Sequence, residues 1–198
     1  MRRGSEALRF AVLFAALLGL AAPAGQAVPG MPGELRAEQS RAEGLARTAA
    51  QLLRAGRTNE SLPYLRKLLE LQPHNDNARY ALALALLFPP QAPDSDPGGL
   101  SRARLLESAR LLSECLERAR GVSETGAFVA GRMFYLGLAH WWLGNPDQAL
   151  GLFEQSYQAD PARLDALYNR FAIYEELGRE TEAAVELKRL DRLSETGQ

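Results

Sequence analysis

A chain of 198 residues with 23 basic and 24 acidic side chains has a formal charge of −1; this balance gives no case for the basic footprint that nucleic-acid binding requires. Its one cysteine, Cys115, rules out an internal disulfide, so stability must come from packing, and the length is enough for one domain with a real core. Ala and Leu dominate and β-branched residues are few, a composition that favours helices because Ala and Leu lose little on entering one.

The first 24 residues differ in kind from the rest. Arg2, Arg3 and Arg9 precede an uninterrupted apolar run of 13 residues, Phe10 to Ala22, which is followed by small residues around Ala24 and Ala27. This is the three-part pattern of a secretory signal peptide. Thirteen apolar residues fall short of the roughly 20 that span a bilayer, although an uncleaved N-terminal anchor is the alternative reading. Residues 1–24 are therefore assigned to a signal peptide, 25–33 to a Pro- and Gly-rich linker and 34–198 to the body of the protein. Removal of the signal leaves 20 basic and 23 acidic residues, a mildly acidic product. The expected location is the periplasm or the cell envelope of a bacterium, the latter inferred from the Ala and Arg bias.

Beyond the linker the chain repeats itself. Gly144 and Gly178 are 34 residues apart, and the same offset pairs Leu143 with Leu177, Ala149 with Ala183 and His140 with Tyr174. Gly56 fits the same frame, with a small residue, Ser61, five positions later and a proline, Pro73, 17 later, as Ala149 and Pro161 follow Gly144. Each glycine lies between two helical patterns, which predicts a helix–turn–helix unit repeated. The units are 42–75, 76–126, 130–163 and 164–196. The second is stretched: Asn75 to Phe88 reads as its first helix, 89–99 (PPQAPDSDPGG) as an inserted, mobile loop, and Leu100 to Arg120 as its second helix, with Leu105, Ala109, Leu112 and Leu116 on one face. The connection from Gly121 to Gly126 absorbs the rest.

The stretch LGLAHWWLGNPDQALGLFEQSYQADP resembles a tetratricopeptide repeat, with a Leu-Gly pair on the first helix, a turn glycine, a small residue on the second helix, Phe153 four positions later and a closing Asp-Pro. LLRAGRTNESLPYLRKLLELQP is similar. The unit from Leu164 departs from the pattern, carrying Arg170 and Phe171 where the family has Leu-Gly, and a weaker contact between its two helices is expected. The resemblance implies an all-α, right-handed α-solenoid whose first helices line a concave groove, and a role as a protein-binding scaffold.

The family's groove-facing offsets fall on Glu43, Ala46, Arg47, Ala50, Leu53 and Arg54 in the first unit and on Tyr80, Leu84, Leu87 and Phe88 in the second. In the third they fall on Phe134, Tyr135, Leu138, Trp141 and Trp142, and in the fourth on Tyr168, Asn169, Glu175 and Glu176. The candidate partner-binding residues are Tyr80, Leu84, Phe88, Tyr135, Leu138, Trp141, Trp142, Tyr168 and Asn169. Trp and Tyr offer large apolar area with a polar tip and dominate binding hot spots, so an apolar or helical protein segment is the expected partner. Adjacent helical residues diverge by about 100°, so Trp141 and Trp142 cannot both face the groove, and which one does stays open. A carboxylate clamp is not expected, since two units lie between Arg47 and Asn169.

Catalytic signatures are thin. His74 reads as an exposed turn residue, His140 as a packed histidine and Cys115 as a small apolar helix residue. No cysteine pair or His-x-x-x-His exists to hold a metal, Glu175 with Glu176 reads as a solvated helix face, and no cofactor is expected. Two rival roles remain: a homo-oligomer that buries the aromatic face between copies, and a non-catalytic accessory of an envelope-polymer enzyme.

Overall fold

The structure, a computed structural model, describes residues 32–88, 101–119 and 126–195. Among these the chain is entirely helical: α1 (Gly33–Arg54), α2 (Thr58–Leu71), α3 (Asp76–Leu87), α4 (Arg102–Ala119), α5 (Gly126–Trp142), α6 (Pro146–Ala159), α7 (Leu164–Glu176) and α8 (Glu180–Glu195). The fold class is all-α, built of helix pairs as the sequence period predicts and belonging with the α-solenoids. The signal segment, the 89–99 loop and residues 120–125 lie outside the described residues. Among the described residues no helix is long and apolar enough to cross a membrane.

Three of the helix–helix turns are built identically, and glycine is the reason. Gly56, Gly144 and Gly178 have φ of 71°, 81° and 68°, a left-handed conformation that a Cβ disfavours. In each, the glycine N–H donates three residues back (Leu53, Trp141, Glu175) and the following N–H donates five back (Leu52, His140, Tyr174). This is the Schellman termination, which satisfies helix-end carbonyls that would otherwise be orphaned. Five residues after each glycine, Ser61, Ala149 and Ala183 are fully buried where the second helix crosses the first.

The chain divides into two compact units, Met1–Leu111 and Leu112–Gln198. In the first, α1 contributes Ala42, Ala49, Ala50 and Leu53 to the core and α2 contributes Leu65 and Leu68. Helix α3 starts at the Asn75 cap, whose Oδ1 accepts from the Ala78 N–H at 2.9 Å. It is buried almost all round, from Ala81 to Leu87. Its C-terminal carbonyls are met from α4: Arg104 donates to Leu86 O at 3.2 Å and Ala85 O at 3.0 Å, and Ser108 Oγ donates to Ala83 O at 2.8 Å.

In the second unit the pair α5–α6 closes through a missing side chain. A Cβ on Gly137 would lie 3.0 Å from the Phe153 ring, so the glycine lets Phe153 seat fully buried against α5, its ring 5.4 Å from that of Phe134. Ser156 Oγ donates to Ala130 O at 2.8 Å and joins the same two helices. The pair α7–α8 has no such contact. At the position equivalent to Leu136, Arg170 reaches Glu154 on α6 and Glu186 on α8, the latter at 2.7 Å, and Arg189 Nη1 closes on Glu154 Oε2 at 2.9 Å. The Arg170 and Glu186 side chains are only 13% and 5% exposed. The weakened junction expected at Arg170 and Phe171 is therefore supplied with a different joint, a four-membered charge network spanning α6, α7 and α8. Buried charges persist only when paired in this way.

Candidate partner-binding face

In the second unit the first helices are α5 and α7. Arg163, at the start of α7, lies 4.6 Å from the Phe134 ring centroid and 5.8 Å from that of Tyr135 on α5. It is held there by Asp165, with Nη2 to Oδ2 at 3.0 Å. At the other end Arg179, just past α7, reaches Asp147, just past the α5 turn, at 3.3 Å. Arg163 thus meets α5 at mid-helix, and Arg179 joins the turn after α7 to the start of α6.

The structure separates the predicted residues by exposure. Tyr135 and Leu138 are buried, and burial pushes the Tyr135 hydroxyl up to about 12, against the opposing pull of Arg163. Phe134 is fully buried beneath Arg163. Trp141 is half-buried, whereas Trp142 is 37% exposed and Tyr168 is 58% exposed. Asn169 is half-buried, and its amide nitrogen donates to Asp165 O at 2.7 Å, so that group is committed to its own helix. In the first unit Leu84 and Phe88 are buried and Tyr80 is half-buried. Ala50 and Leu53 are buried there too, while Arg47 and Arg54 are exposed. Of the predicted residues on α5 and α7, Trp142 and Tyr168 are the ones offered to solvent, with Ala172 also exposed between Tyr168 and the helix end; Phe128, at the start of α5, is exposed as well.

Trp142 is the last residue of α5, and its position is fixed by the turn that follows. Leu143 N–H donates to Ala139 O, Gly144 N–H to Trp141 O and Asn145 N–H to His140 O, after which Pro146 opens α6. A large aromatic on a rigid backbone loses little entropy when it binds. His140 is half-buried, its Nδ1 3.4 Å from the Asn145 amide, and burial lowers its pKa. Cys115 is buried, and His74 is exposed in the turn before α3.

A separate cleft of about 390 Å³ lies among α4, α5 and α6, floored by Leu116, Val129, Met133, Leu136 and Leu152. Its polar lining consists of Ser113, Glu117 and Gln155. Among the described residues no group of three or more His, Cys, Asp or Glu is placed to hold a metal ion.

Family models described as tetratricopeptide repeat match residues 47–87 and 143–194. The chain belongs to the tetratricopeptide-repeat family. The matched segments cover the end of α1 through α3 and α6 through α8, so all three turn glycines fall within them, Gly144 at the start of the second. No curated protein matches this tetratricopeptide-repeat chain in sequence. Tetratricopeptide repeats generally mediate protein–protein interaction, and such repeat proteins are typically non-catalytic scaffolds.

Proposed function

We propose that this protein is a non-catalytic adaptor of the bacterial cell envelope, exported by its N-terminal segment, that captures a segment of a partner protein on the first-helix face of its repeats. The observation that carries this reading is the exposure of Trp142 on the groove-facing register of α5, with Tyr168 exposed on the groove-facing register of α7. A partly exposed indole held on a rigid helix end is the kind of anchor around which interface energy concentrates. Arg2, Arg3 and Arg9 followed by the apolar run support the export step.

The test is a crosslinking pull-down from envelope extract, comparing the wild-type chain with Trp142→Ala. The adaptor reading expects capture of a defined partner to fall with helix content unchanged by circular dichroism. Equal capture by the variant counts against it, and a large drop in melting temperature would reassign Trp142 to the core.

Self-association is the second reading, and Val185 and Leu187 favour it. Both are exposed on α8, although the residues equivalent to Leu187 in other units, Leu65 and Phe153, are fully buried. Light scattering separates the two, since a monomer at working concentration removes the homo-oligomer.

A further inference from the structure

The charge around Trp142 specifies the chemistry of the partner segment. Glu175 and Glu176 lie one repeat period after Trp141 and Trp142, so the acids occupy on α7 the register positions that the indoles occupy on α5. The Arg179–Asp147 contact of 3.3 Å joins the turn after α7 to the start of α6, just past the turn that ends α5. Both glutamates are exposed and make no ion pair among the described residues. Glu180, at the start of α8, is likewise exposed and unpaired. The one arginine at this end, Arg179, is already committed to Asp147 and to Glu182, the latter at 2.8 Å, and lies over the Tyr174 ring at 4.8 Å.

The glutamates are also badly placed for stability. They close α7, whose last turn holds no basic residue, and a carboxylate at a helix C-terminus opposes the macrodipole. A cation docked there would relieve both the mutual repulsion and the dipole conflict, while the neighbouring indole face attracts the same charge.

The geometry points to a cationic, apolar protein segment as the occupant: a Lys or Arg set between the Trp142 indole and the Glu175–Glu176 pair, next to apolar residues that cover Tyr168 and Ala172. This rests on the adaptor reading and narrows it to one sign of charge. Sequences rich in acid, or ending in a free carboxylate, are repelled from the same surface.

The experiment selects a random short-peptide library on the purified chain, with Trp142→Ala and the double variant Glu175→Gln, Glu176→Gln as comparators. Affinities for an enriched peptide lacking tryptophan are then read from intrinsic fluorescence. Trp141 and Trp142 are the chain's only tryptophans, so the signal reports the site itself. The expected result is enrichment of Lys- or Arg-bearing apolar peptides, with affinity falling about fivefold in the double variant and falling as salt is raised. The same double variant should melt no lower than wild type, because it removes a dipole conflict; a structural role for the glutamates would lower it. Enriched peptides that need Trp142 but carry no basic residue, or that bind the double variant equally well, overturn the cationic inference and leave the adaptor reading standing. An absence of any Trp142-dependent peptide overturns both.

Discussion

The hairpins α5–α6 and α7–α8 share one frame, one Schellman turn and one small buried residue after it, yet they are held shut by opposite chemistry. In the first, Gly137 gives way to a buried Phe153 ring. In the second, Arg170 links Glu154 and Glu186 across three helices. An apolar seam tolerates small errors of alignment, because contact energy is spread over many atoms. A buried charge network does not, since each partner left alone retains its full desolvation cost. The repeat geometry is thus indifferent to what closes it, provided the turn and the small crossing residue are kept.

The contrast can be broken most forcefully at Phe153. Phe153→Ala should cost about 4 kcal/mol, because a fully buried ring is lost and Phe134 loses its neighbour; chemical denaturation measures it. A loss below about 1 kcal/mol would mean that α5 and α6 close by some other contact.

Arg170→Ala should come next, at about 3 kcal/mol, since it leaves the buried Glu186 with only the longer 3.8 Å contact to Arg189. The sharper test is the pair Arg170→Met with Glu186→Met, which should recover most of that loss because Glu154 and Arg189 remain paired at 2.9 Å. If the double variant were as unstable as Arg170→Ala, the network would be contributing more than mutual compensation of buried charge.

The turns should be equivalent despite the different seams. Gly144→Ala and Gly178→Ala each force a Cβ into the left-handed region, at φ of 81° and 68°, and should cost about 1 kcal/mol apiece, read from melting curves. Unequal costs would show that the hairpin interior feeds back on its turn.

The smallest effect is a pH response where α7 and α8 meet Glu154 of α6. Burial alone would raise the Glu154 pKa, but Arg189, Arg170 and Gln158 together outweigh it and hold the carboxyl below its ordinary value of 4.5. Below that value the unfolded chain takes up a proton that the folded chain resists, so the stability contributed by Glu154 is present above pH 4.5 and fades as pH falls beneath it. Hydrogen exchange across that range should show α7 and α8 losing protection before α5; simultaneous loss would contradict the difference in chemistry.

Much of this was legible in advance where one residue type has one physical use. Glycines one period apart pointed to turns between helices, and small residues five positions later pointed to close crossings. The Arg170 network was not legible, because its partners lie on other helices. Its one trace is a regular offset, with Glu154, Arg170 and Glu186 each 16 residues apart, which acquires meaning only once α6, α7 and α8 are packed together. The candidate face was half legible: the register named Trp142 and Tyr168, but it equally named Leu84, Phe88, Tyr135 and Leu138, which the structure buries.

From its sequence alone this protein is determined to be an all-α tetratricopeptide-repeat chain with its turns at defined glycines, because helix periodicity and left-handed termination are local properties of neighbouring residues. Only the tertiary structure decided which of two adjacent indoles is the more exposed, which register positions are sealed, and that Arg170 belongs to a buried charge network. Exposure and pairing depend on which helices are laid alongside, and no single helix carries that information.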